Sequence, residues 1–153
     1  MVTLHVYYGL KSKPEKRIPE LEKLAKWLAG WAKTLKRYGK AGHGHNLLAL
    51  GDFNIDRVGD DLYDAFTSTG LSTPSELDDV PRTIFYDPED SRKDMHYDQI
   101  AWFEGSRGIP RLTLEYKSGG FVNFTDSVMR DLTNTSLSWR MSDHFPLWVE
   151  FKV

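Results

Sequence analysis

The stretch Leu47-Leu48-Ala49-Leu50-Gly51-Asp52-Phe53-Asn54 constrains the fold more than any other part of the chain. Its four apolar residues read as a short, fully buried strand that the rest of the chain must enclose. Gly51 breaks the strand, and Asp52 and Asn54 follow one residue apart. In extended backbone, residues i and i+2 point to the same side, so both are expected to aim at one spot beyond the strand end. The carboxylate offers negative oxygens to a proton or a hard metal ion. The amide offers a neutral oxygen to a metal or N–H donors to an anion. Standing alone, the stretch is better described as a strand with an Asp/Asn turn. Asp98 and Asp143-His144 place acidic groups at two further strand edges, and this recurrence favours a site.

The flanking segments supply helices first and strands later. Val2 to Tyr8 is β-branched and aromatic, and predicts a strand. Leu21, Leu24, Ala25, Leu28, Trp31, Ala32 and Leu35 form one helical stripe, with Lys23, Lys26, Lys33 and Lys36 on other faces. That helix begins either at a capping box, Ser12 to Glu15, or with Pro19 as its first residue. His43 and His45 sit in the loop that leads to the organising strand, where plain solvation is expected in preference to metal binding. Residues 60–69 predict a second helix with Leu62, Ala65 and Phe66 inward, and residues 72–81 a surface loop. Thr83 to Tyr86 is a candidate strand, and Tyr97 to Phe103 reads as a strand with an Asp at its entry. Leu112 to Tyr116 and Phe121 to Phe124 flank Lys117-Ser118-Gly119-Gly120, which predicts a hairpin turn. A polar stretch reaches Arg140, and Leu147 to Phe151 closes the chain as a strand. This order suggests an α/β layered sandwich with a mixed sheet.

Composition narrows the function classes. At 153 residues, 40% apolar and 27% charged, the chain fits one globular domain, residues 1–153, that needs no covalent staples. With 20 basic and 22 acidic residues the formal net charge is −2, so a long basic footprint for nucleic acid is absent. Cysteine is missing, which removes disulfides, thiolate metal sites and a Cys nucleophile. No apolar run reaches membrane-spanning length, and a cytoplasmic location is expected.

His5, the Asp52/Asn54 pair, Asp98 and Asp143-His144 thus share one property: a chemically capable group at a strand or its edge. A His held by a second carboxylate gains a fixed tautomer and a raised pKa, which suits acid–base work or phosphate contact. Asp98 is the candidate for that carboxylate. Gly51-Asp52-Phe53-Asn54, Tyr97-Asp98-Gln99-Ile100 and Ser142-Asp143-His144-Phe145-Pro146-Leu147 occur in the order of the endonuclease/exonuclease/phosphatase superfamily, which the chain resembles. The resemblance implies a DNase-like sandwich with a mixed, largely antiparallel sheet flanked by helices. It implies water activation by Asp52, phosphate and metal-side contacts by Asn54, and phosphate contact by His144 paired with Asp98. It places Asp143 at Mg²⁺ or Mn²⁺, with Asp52 and Asn54 on the metal side, and gives His5 a phosphate oxygen or the leaving group.

The resemblance spans nearly all of this sequence but only the second half of that family's domain. Its first half supplies the principal metal-binding Glu, and Glu15, Glu20 and Glu22 do not match that motif. A half of this kind is expected to expose an apolar sheet face, inviting a homo-oligomer or a partner chain. Three functions follow. The first is a metal-dependent hydrolase acting on a phosphoester, either nucleic acid or a small phosphorylated molecule. The second is a catalytically incomplete half-domain that binds a phosphate ligand or a protein. The third is a generic α/β module, which requires Asp52, Asp98 and His144 to lie far apart. Arg82, Arg92, Lys93, Arg107, Arg111 and Arg140 are candidates for a phosphate rim or for plain surface, and Trp102, Trp139 and Trp148 are expected in packing.

Overall fold

The computed structural model describes residues 1–10, 12–38, 46–90 and 95–152, with the side chains of 36–38 left aside. The loop histidines His43 and His45, and Arg92 and Lys93, lie outside the described residues.

A mixed four-stranded sheet forms the centre. Strand β1 (Val2–His5) leads through a 3₁₀ turn, Pro14–Arg17, into helix α1 (Ile18–Tyr38). Strand β2 (Leu48–Asp52) then pairs parallel with β1, as a helical crossover allows. Helix α2 (Asp61–Thr67) and the short β3 (Leu71–Ser72) follow, and β4 (Asp98–Phe103) runs antiparallel to both β2 and β3. The sheet order is β1-β2-β4-β3. Strand β5 (Glu115–Phe121), helix α3 (Asn134–Arg140) and β6 (Leu147–Lys152) complete the chain, and β5 and β6 make a separate antiparallel pair. The mixed, largely antiparallel sheet and flanking helices are those the sequence predicts.

Period-3.6 burial seats α1 on the sheet. Leu21, Ala25, Leu28 and Ala32 are fully buried, while Lys23, Lys26 and Lys33 are exposed. They meet Val2, Leu4, Ala49, Ala101 and Phe103 from one face of the sheet, with Phe66 of α2 closing the cluster. The α2 N-terminus is capped by Asp60, whose carboxylate accepts from the Tyr63 N–H at 2.7 Å. No capping box starts α1. Pro14 opens the 3₁₀ turn instead, behind an N-cap at Lys13 without a side-chain bond.

The other sheet face carries Leu48, Leu50, Ile100 and Trp102, and the β5–β6 pair lies against it through Tyr116, Leu147, Val149 and Phe151. The expected open apolar face is therefore covered in part by the chain's own last strands. Ile100 and Trp102 are buried beneath them, and Leu48 and Leu50 remain half-buried.

Three local expectations fail. Lys117 to Gly120 is not a hairpin turn but the middle of β5, which pairs along its length with β6. Gly120 serves packing there: a Cβ at that position would lie 3.0 Å from the Trp148 indole that covers it. Thr83 to Tyr86 makes a single bridge, Thr83 to His144, and then turns back with the Tyr86 N–H on the Thr83 carbonyl. The polar stretch before Arg140 holds α3, capped by the Thr133 hydroxyl. Its apolar stripe is too short to register as a helical period, since Leu137 is its only buried residue.

Candidate functional site

Strand register brings the site together. His5 stands opposite Asp52 across the parallel pair, and Asp52 stands opposite Asp98 across the antiparallel pair. Residues paired across a sheet point to the same face, so these three side chains form one row at the strand ends. They continue the face of Leu50 and Ile100, away from the helices. His5 Nε2 lies 3.6 Å from Asp52 Oδ2, with the imidazole largely in solvent.

The strand end is sharp because of Gly51, at φ +136°. A Cβ there would lie 1.9 Å from the Leu4 carbonyl oxygen, so β1 and β2 can approach at this point only if the residue is glycine.

His144 arrives from a distant part of the chain. The Ile84 N–H donates to the Asp143 carbonyl and the Phe145 N–H to the Arg82 carbonyl, which ties segment 143–145 alongside 82–84. Arg82, only 1% exposed, donates from Nε to the Asp98 carbonyl and from its guanidinium to Val80. It is thus a buried strut under the site and not part of a phosphate rim. The result is a close pair, His144 Nδ1 to Asp98 Oδ2 at 2.6 Å, and the Ser142 hydroxyl accepts the His144 backbone N–H. Tyr97 stacks beside the ring, with centroids 6.0 Å apart.

These contacts set the electrostatics. The Asp98 hydrogen bond, helped by the charges of Asp98, Asp143 and Asp52, outweighs burial and lifts His144 to about 8. At neutral pH the ring is an imidazolium that directs Nδ1 to Asp98 and leaves Nε2 as a donor. Burial, with the neighbouring Asp98 charge, pushes the Asp52 carboxyl up, against the Asn54 N–H, His144 and His5, which pull it down. A carboxylate held above its ordinary range is a better proton acceptor than a free one.

Asn54 departs from the expected geometry. Its φ is +51°, so the segment is not extended and its side chain does not run beside that of Asp52. It is 3% exposed, its Nδ2 donates to the Val6 carbonyl at 2.6 Å, and its backbone N–H donates to Asp52 Oδ1 at 2.8 Å. Asn54 organises the turn from beneath, with Oδ1 as its remaining polar side-chain atom.

Asp143 is exposed next to His144. Among the described residues no three acidic or histidine side chains converge as a metal cage. Mg²⁺, however, is commonly held by one or two carboxylates together with substrate phosphate. The crowded, half-buried Asp52 beside Asp98 is a place where an added cation relieves repulsion, so the donor set suits a hard divalent ion.

Beside the His144–Asp98 pair lies a cavity of about 310 Å³, lined by Leu50, Ile100, Phe124, Phe145, Pro146 and Leu147. The other rim candidates among the described residues are scattered. Arg107 donates to the Ser68 carbonyl, Arg111 lines a separate cavity near Trp102 and Leu112, and Arg140 is exposed at the end of α3. Trp102 is core and Trp148 covers Gly120, but Trp139 is 87% exposed, against the packing expectation. Sequence reasoning missed the buried role of Arg17 and Arg82, because nothing in their local pattern separates a buried arginine from a surface one.

Asp52, Asp98 and His144 lie together, not far apart as a generic module with coincidental motifs requires. No protein-family model matches the chain, and no curated protein matches it. Solved structures do match. A mannosyl-6-phosphatase of Bacteroides thetaiotaomicron VPI-5482 superposes with a TM-score of 0.53 at 23% identity, over 99% of this chain and 50% of its own. An endonuclease/exonuclease/phosphatase family protein from Bacteroides thetaiotaomicron gives 0.54 at 22% identity, over 97% of this chain and 47% of its own. The chain spans about half the length of these structures.

Proposed function

We propose that this chain, which has the fold of about half of a DNase-like phosphoesterase, carries the water-activating and phosphate-holding part of a phosphoester hydrolase. The observation that supports this most is the Asp98–His144 pair set beside the perturbed Asp52 on one row of strand ends. In this reading Asp52 takes a proton from a water poised in line with the phosphorus. As the new P–O bond forms, the bond to the leaving oxygen breaks. The imidazolium of His144 donates from Nε2 to a non-bridging oxygen and offsets the charge that develops there, while Asp98 fixes the ring. His5, exposed on the outer edge of the row, steadies a second phosphate oxygen or gives the leaving oxygen a proton. Asp143 and Asp52 are the residues that would hold Mg²⁺ or Mn²⁺, which would supply Lewis-acid stabilisation of the phosphate when bound, while Asn54, buried beneath the turn, supports Asp52. The named substrate class of one structural neighbour favours a sugar phosphomonoester over long nucleic acid, in keeping with the slight net negative charge.

The test is hydrolysis of mannose 6-phosphate, bis-p-nitrophenyl phosphate and plasmid DNA with Mg²⁺ or Mn²⁺, in wild type, His144→Asn and Asp143→Ala. Turnover of the phosphomonoester that falls about 10²–10⁴-fold in His144→Asn supports the reading. Turnover that is indifferent to both substitutions overturns it.

Two observations favour a second reading: the described residues alone make no three-ligand metal cage, and the chain spans about half of its structural neighbours. In that reading the chain binds phosphate or a protein surface, and a further carboxylate from outside the chain is needed for turnover. Phosphate binding by folded protein without hydrolysis distinguishes it.

A further inference from the structure

Arg17, at 3% exposure, is a buried cation near the site that the proposed chemistry does not use. It ends the 3₁₀ turn that precedes α1, and three groups hold it. One guanidinium nitrogen donates to the backbone carbonyl of Asn54, and the other pairs with Asp56 Oδ2 at 2.9 Å. Its Cζ lies over the Tyr8 ring, 5.0 Å from the ring centre. A desolvated arginine persists only when its partners match its rigid fork.

Its main backbone partner is a residue in an unusual state. Asn54 is in the left-handed region, and from there its N–H reaches Asp52 Oδ1 at 2.8 Å. With the Asn54 carbonyl held by Arg17, this left-handed conformation sets the direction in which the Asn54 N–H meets the carboxylate. Phe53 is anchored separately, its N–H on the Tyr97 carbonyl. Asn54 is anchored through its side chain on Val6 and, at the carbonyl, through Arg17.

We propose that Arg17 is a positioning residue that aims the Asp52 carboxylate by locking the backbone of Asn54 in its left-handed turn. The inference deepens the reading above and uses the same site. The guanidinium fork holds the Asn54 carbonyl, the Asn54 N–H holds Asp52 Oδ1, and Oδ2 is left directed toward His5. A lysine cannot replace it, because one ammonium on a flexible stem cannot serve the Asn54 carbonyl and Asp56 in one fixed geometry.

The experiment measures amide hydrogen exchange by NMR in wild type, Arg17→Lys and Arg17→Met, with the kinetics of each variant alongside. The expected result is that the Asn54 amide loses at least tenfold of its protection in both variants, while Leu28 in α1 and Ala101 in β4 keep theirs. Where turnover is measurable, kcat falls about 10–100-fold with KM within about twofold, since a misaimed general base costs rate more than binding. Unchanged Asn54 protection overturns the inference. So does an equal loss at Asn54, Leu28 and Ala101, which marks Arg17 as a general stabiliser only. Arg17→Lys keeps the charge and stem, and supplies the answer if Arg17→Met does not fold. Exchange at Asn54 decides the inference even if wild type hydrolyses nothing, so its failure is separable from failure of the hydrolase reading.

Discussion

The two faces of the central sheet are built to different standards. Against α1 and α2 every contact residue that β2 and β4 send down is small or fully covered: Ala49 and Ala101 are at 0% exposure and Phe103 at 2%. Against β5 and β6 the same two strands send Ile100 and Trp102, which are buried, Leu48 and Leu50, which are only half-buried, and then the charged row Asp52 and Asp98. The first face is where apolar burial holds the fold. The second gives up some of that burial to hold three ionisable side chains close together, as reactive sites do. Strand pleating makes the division possible, since alternate residues of one strand serve opposite faces.

The comparison is broken most severely at the point where the faces meet the site. Gly51→Ala forces a Cβ into the Leu4 carbonyl, and we expect a loss of about 4 kcal/mol or more, read as failure to fold or collapse of the denaturant midpoint. Next come matched truncations. Leu28→Ala on the closed face should cost about 3–5 kcal/mol, and Leu50→Ala on the open face about half that or less, in urea unfolding. Equal costs would mean that the two faces are not different in kind.

How far this division was legible in the sequence follows the same line. The closed face was readable because α1 repeats its stripe over four turns, and the buried run Leu47 to Leu50 carries a strand signal of its own. The site residues were readable as local motifs, and strand register did the rest by placing His5, Asp52 and Asp98 side by side. What stayed hidden was set by distant contacts. Lys117-Ser118-Gly119-Gly120 has turn chemistry, yet β6 and the Trp148 indole convert it to strand. Arg17 and Arg82 look like surface cations until the backbone carbonyls of Asn54 and Asp98 are brought to them. The left-handed turn at Asn54 likewise needs Val6 and Arg17, from far earlier in the chain.

Smaller effects sharpen the open face. His144 is raised to about 8 from an ordinary 6.5, so its pairing contributes stability that is complete below pH 6.5 and lost as pH rises through 8. The size is about 2 kcal/mol at most, and Asp98→Asn should remove most of the slope in that window. The smallest expected effect has the opposite sign. Burial and Asp98 raise Asp52, so its ionised form strains the fold, and Asp52→Asn should stabilise the protein slightly while abolishing any water activation. A thermal melt of that variant at neutral pH, showing a higher midpoint together with lost turnover, would be the signature of a side chain kept for chemistry.

The most direct measurement is an NMR titration of the His144 imidazole from about pH 5 to 10, in wild type and Asp98→Asn, with and without inorganic phosphate. A midpoint near 8 is expected in wild type, with a fall toward 6.5 when Asp98 is replaced and a further rise when phosphate binds the imidazolium. A wild-type midpoint near 6.5 that ignores both Asp98→Asn and phosphate would contradict the claim that this strand-end row is a phosphate site.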